Sequence, residues 1–110
     1  MKKQHYGYIR LYRVEDSSEE DVERDLHRLG EFIKHRARVN RDLSYYTVTY
    51  VDRSGVDGLV VVIGDDLDRV EREVELIIGF IEASLESIIA KKPIVHRVEK
   101  SIPIPKTRNF

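Results

Sequence analysis

The chain has 110 residues, 41 % hydrophobic and 35 % charged, with no cysteine and no tryptophan. That composition sustains a single packed domain and excludes disulfides, cysteine-ligated zinc, iron–sulfur clusters and thiol nucleophiles. Nineteen Lys and Arg against twenty Asp and Glu leave a formal charge of −1, which rules out a globally basic nucleic-acid binder but not a local basic face.

The first extended segment covers residues 5–14. Ile9 and Leu11 alternate with Tyr8, Arg10 and Tyr12, a period of two that predicts a strand, with Gly7 on the Ile9 face. Glu15-Asp16-Ser17-Ser18 breaks the alternation. Ser17 with Glu20 fits a capping box, and Ser18 with Asp21 is the alternative register. Glu19, Glu20, Asp21 and Glu23 gather at this end, while Lys34, His35, Arg36 and Arg38 gather at the other, as the helix dipole favours. Val22, Leu26, Leu29 and Ile33 give the buried stripe of a helix over 18–38.

Residues 43–52 are β-branched and aromatic and predict a second strand. Arg53-Ser54-Gly55-Val56-Asp57-Gly58 reads as a turn, and 59–63, almost wholly apolar, as a central strand covered on both faces. Asp65 or Asp66 can cap a second helix, whose apolar spacing continues from Leu67 through Ile88 and predicts 66–90, stopped by Pro93. A last strand is expected at 94–98. Pro103 and Pro105 make 101–110 an extended tail to a domain of 1–100.

The order β-α-β-β-α-β predicts an α+β, ferredoxin-like sandwich. Right-handed crossovers place both helices on one face of a four-stranded antiparallel sheet of order 4-1-3-2. The expected core is Ile9, Leu11, Val22, Leu26, Leu29, Ile33, Leu59, Val61, Ile63, Val70, Val74, Ile77, Ile81 and Leu85.

Several chemistries find no residues to carry them. No Walker loop or dinucleotide glycine fingerprint occurs, because the glycines are scattered singly. His5, His27, His35 and His96 form no ligand motif, and no metal or other cofactor is expected. Asp65, Asp66 and Asp68 lack the glycine and terminal glutamate of a calcium loop, and helix capping explains them. The mixed charges of 68–75 read as a solvated helix face. No nucleophile–base–acid set stands at a diagnostic spacing, so nothing argues for an enzyme.

Two features stand out. Tyr6, Tyr8, Arg10 and Tyr12 share the strand face opposite Ile9 and Leu11, and Val60 and Val62 are expected beside them on the helix-free side of the sheet. Tyrosine and arginine are enriched at interface hot spots, so this face predicts a homodimer or higher homo-oligomer, or docking of another protein. Lys91, Lys92, Arg97 and Lys100 form a basic stretch suited to phosphate contacts. The leading reading is therefore a non-enzymatic assembly module. RNA or single-stranded nucleic-acid binding on the Tyr/Arg face is the alternative, and a small-ligand regulatory domain a third.

No apolar run approaches the ~18 residues of a membrane span, and no apolar stretch follows the basic start, so neither a membrane partner nor a leader is expected and a cytoplasmic location is. Side-chain amides are confined to Gln4, Asn40 and Asn109, which with the abundant charge resembles a thermophile composition.

Overall fold

The computed structural model describes residues 3–52 and 55–93. Their order is β1 (His5–Arg13), α1 (Glu19–Val39), β2 (Ser44–Asp52), β3 (Gly55–Gly64), α2 (Leu67–Ser84) and β4 (Ile88–Lys91). The four strands form an antiparallel sheet of order β2-β3-β1-β4, and both helices pack on one face of it. The βαββαβ architecture and the strand order are those expected from the sequence.

α1 begins at Ser18, whose hydroxyl accepts the Asp21 N–H at 3.1 Å, so the cap takes the second of the two possible registers. Asp66 caps α2 by accepting the N–H groups of Asp68 and Arg69. Between the helices the Phe32 and Phe80 rings stack, with centroids 3.9 Å apart.

Three sequence expectations need correction. The first concerns the end of α2. The helix stops at Ser84 rather than residue 90, and Leu85 is already extended. Continuing the helix would send the Glu86 and Ser87 N–H groups to the carbonyls one turn back. The buried Asp25 carboxylate of α1 takes both instead, at 3.1 and 2.8 Å, and the Ser87 hydroxyl at 2.6 Å. Ile88 and Ala90 then alternate onto the core as β4, and Pro93 follows this strand instead of ending the helix. The strand expected at 94–98 lies outside the described residues.

The second correction is that β3 starts at Gly55, so most of the expected turn is strand. β2 and β3 pair without interruption from Ser44↔Ile63 to Asp52↔Gly55.

The third concerns which face of β3 meets the helices. β1 pairs with β3 as Gly7↔Val62, Ile9↔Val60 and Leu11↔Gly58. Directly opposed residues share a face. Val60 and Val62 are therefore in the core, buried with Ile9, Leu11, Val70, Val74 and Ile77. Leu59, Val61 and Ile63, expected there, lie on the opposite face. Leu43, Ile88 and Ala90 join the core, and Leu26 is half-buried against it. The reason is fit: the helix face alternates large with small. A Cβ on Gly7 would stand 2.5 Å from Val74 Cγ2, and one on Gly64 2.6 Å from Leu43 Cδ2. A shift of β3 by one residue can put Ile63 in the place of Gly64, where Leu43 and Val70 leave no room for a side chain.

Candidate interaction surface

The helix-free face is built from alternate residues of every strand. β1 contributes Tyr6, Tyr8, Arg10 and Tyr12, whose register partners on β3 are Ile63, Val61, Leu59 and Asp57. β2 adds Ser44, Tyr46 and Val48, which pair with Ile63, Val61 and Leu59. On the other side Tyr12 pairs with Ile89 and Arg10 with Lys91 of β4. The sequence-predicted residues Tyr6, Tyr8, Arg10 and Tyr12 thus lie together on this face. Val60 and Val62 do not, because the register turns them to the helices.

The surface is aromatic and aliphatic. Among the described residues eight large hydrophobics are notably exposed, and five of them (Tyr6, Tyr12, Tyr46, Val48 and Ile89) lie on this face. Val61, whose two register partners are Tyr8 and Tyr46, is only 2 % exposed. The Tyr6 and Tyr8 rings run nearly parallel, with centroids 6.4 Å apart and planes 11° apart. Arg10 lies over the Tyr12 ring at 5.4 Å, a cation–π contact that neighbours two apart on one strand face can make. Burial, with the neighbouring Tyr6 phenol, pushes the Tyr8 hydroxyl above the ordinary tyrosine value.

The expected phosphate contacts separate. Lys91 is exposed beside Arg10. Lys92 turns away and forms an ion pair with Glu75 of α2. Arg97 and Lys100 lie outside the described residues.

A second polar centre has no counterpart among the sequence expectations. Glu73, which the charge pattern of 68–75 assigns to a solvated helix face, is 1 % exposed. Arg36 grips it through two 2.8 Å bonds, from Nε to Oε2 and from Nη2 to Oε1, and Tyr45 donates to Oε2 at 2.7 Å. Arg69 donates to Asn40 at 2.7 Å and forks onto Asp42 at 2.9 and 3.1 Å. Burial alone would raise the Glu73 pKa, but Arg36 and Tyr45 together hold it below the ordinary carboxylate range. The same burial and the bond to Glu73 push Tyr45 up to about 12. Two cations and two carboxylates satisfy one another here, tying the end of α1 and the start of β2 to α2. The cluster locks these elements together around the buried Glu73 carboxylate, while the Asp42 side chain at its rim is exposed. A helical period of 3.6 counted from Val70 and Val74 places Glu73 near the buried stripe, which is the signal that could have revealed it.

The described residues form clefts of different size. The cleft beside Gly7, lined by Leu67, Glu71, Val74 and Lys92, holds about 240 Å³, small against the ~300–1,000 Å³ of small-molecule sites. The broader depression along α2 between Asp68 and Leu76 holds about 750 Å³, is open to solvent and is lined mostly by charged side chains. Among the described residues no three potential metal ligands cluster, and no helix is long and apolar enough to cross a membrane.

No family model matches the chain, and no curated protein matches it. Among solved structures it is similar to the de novo designed protein Foldit4, with 25 % identity, a TM-score of 0.56, and coverage of 86 % of this chain and 100 % of that one. The likeness is one of backbone architecture.

Proposed function

We propose that this protein is a non-enzymatic assembly module that self-associates through the helix-free face of its sheet. The observation that supports this reading most is the concentration of exposed Tyr6, Tyr12, Tyr46, Val48 and Ile89 on one contiguous face. Monomers rarely leave apolar patches beyond about a few hundred Å² uncovered. A second copy of the same face removes this surface from water at roughly 25 cal/mol per Å², before the costs of association. Closed twofold symmetry is the common solution for soluble chains.

Sedimentation equilibrium on the wild type and on Tyr8→Asp tests the reading. The wild type sediments above monomer mass, and Tyr8→Asp, which places a carboxylate at the centre of the face, shifts it downward. A wild type that stays monomeric at high micromolar concentration overturns the proposal.

One observation favours a second reading. Arg10 and Lys91 stand side by side among stackable tyrosines, the pairing of cations and rings that single-stranded nucleic acid uses. Filter retention of mixed RNA or single-stranded DNA that falls steeply with salt would support it.

A further inference from the structure

The two edges of the sheet are built differently. At one edge β4 spans four residues, and Lys91, Lys92 and Pro93 close it. Short length, lysine and proline are the devices that keep an edge from pairing with another chain. At the other edge β2 runs for nine residues, Ser44–Asp52, paired to β3 on one side without a bulge. From Ser44 to Val51 it contains no charge, no proline and no glycine. Thr47, Val48 and Thr49 are exposed, so neither face of this stretch is buried. Among the described residues no strand pairs with its outer side, and a long, uncharged edge of this kind presents a row of backbone donors and acceptors to another strand.

The sequence of this edge also reads the same in both directions. Tyr46-Thr47-Val48-Thr49-Tyr50 is a palindrome centred on Val48. Antiparallel strands related by a twofold axis through Val48 would align Val48 with itself, Thr47 with Thr49 and Tyr46 with Tyr50. Valine and threonine each meet their own kind, and threonine–threonine pairs are favourable across strands. With no charge in the segment, self-pairing sets no like charges opposite one another.

We infer that β2 is a self-pairing edge: it aligns antiparallel with β2 of a second copy about a twofold axis at Val48, joining two four-stranded sheets into one of eight strands. This pairing rests on the self-association reading and adds to it a second, separable contact. The joined sheet doubles the apolar face formed by Tyr6, Tyr8, Tyr12 and Tyr46, and two such dimers stacked through that face make a closed tetramer.

The test uses the absence of cysteine from the chain. Val48→Cys places one thiol at the axis, where it meets its own copy, and mild oxidation gives a covalent dimer; Val39→Cys, equally exposed but on α1, does not. Thr47→Lys combined with Thr49→Lys sets lysines opposite lysines across the axis, on the side of the sheet away from the stacking face. Sedimentation equilibrium then shows the assembly halved in mass, with far-UV circular dichroism and the thermal midpoint reporting that the fold is kept. A double variant that is folded and unchanged in mass overturns edge pairing, as does equal cross-linking at residues 39 and 48. If Tyr8→Asp lowers the mass and the double lysine variant does not, open-face association stands and the edge fails. The reverse pattern keeps the edge and removes the open face. A monomeric wild type removes both.

Discussion

Asp25, in the second turn of α1, holds Ser87, the residue that leads into β4, by two hydrogen bonds of 2.8 and 2.6 Å to one carboxylate oxygen. The Glu86 N–H adds a third at 3.1 Å, and the Ser87 carbonyl in turn accepts the Val14 N–H at 2.9 Å. One buried carboxylate therefore ends α2, starts β4 and fastens that turn to β1. Asp25→Ala leaves buried N–H groups without partners and should cost about 2–3 kcal/mol, while Ser87→Ala, which removes one bond to a charged acceptor, should cost about 1.5 kcal/mol. Urea unfolding at neutral pH measures both. An Asp25→Ala protein as stable as the wild type would show that the clamp does not set the end of α2.

Acid unfolding follows from two carboxylates. Burial works against ionisation of Asp25, but the hydrogen bonds from Ser87 and Glu86 outweigh it and hold its pKa below the ordinary value. Glu73 is lowered in the same sense by Arg36 and Tyr45 against its own burial. A depressed pKa in the folded state means that the unfolded chain binds its proton first as pH falls. The stabilisation is present above the ordinary carboxylate range and is lost as pH drops through the lower folded values. Glu73→Gln should flatten the acid limb of the stability–pH curve. Glu73→Ala should cost about 3 kcal/mol at neutral pH, the low end for breaking a buried pair because Arg36 is partly exposed. An acid limb identical to wild type in Glu73→Gln would refute the assignment.

The same cluster makes an alkaline prediction. Tyr45 is pushed up to about 12, by burial first and then by its bond to the Glu73 carboxylate. Its stabilisation is complete below the ordinary tyrosine value and is lost as pH rises through about 12. Ultraviolet titration should therefore show one of the six tyrosines ionising last. Tyr45→Phe should abolish that late component; if it survives, another tyrosine carries it.

Glycine substitutions should split by sign. Gly30 and Gly79 lie within helices, and a methyl added at either meets nothing within 4 Å. Replacing either with alanine should raise stability by about 0.5–1 kcal/mol. Gly7→Ala forces a methyl against Val74, and overpacking of this kind costs about 1–3 kcal/mol. Thermal unfolding of the three variants checks the order, and a stabilising Gly7→Ala would contradict the close approach of α2 to β1.

Much of the fold is legible in local pattern. Alternation in β1, the apolar stripes of α1 and α2 and the acidic helix starts are short-range signals, and chain order with right-handed crossovers then gives the strand order. The grouping of Tyr6, Tyr8, Arg10 and Tyr12 follows from period two alone. The palindrome at Tyr46–Tyr50 is also written in the sequence, but it acquires meaning only once β2 is known to be the edge.

What tertiary structure decided are the matters in which a distant residue competes with a local preference. Leu85 and Ile88 continue a helical spacing, yet Asp25, some sixty positions earlier, takes the N–H groups that the helix needs, and the chain turns into β4. β3 is apolar on both faces, so its hydrophobic pattern contains no period to say which side meets the helices. The alternation that does decide it is one of volume, Gly58, Val60, Val62 and Gly64 against Leu59, Val61 and Ile63, and volume selects a face only when Leu43 and Val70 press against Gly64. Glu73 looks like a surface charge beside Arg72 and Glu75, and becomes a buried one because Arg36 and Tyr45, brought from α1 and β2, offset the loss of its water.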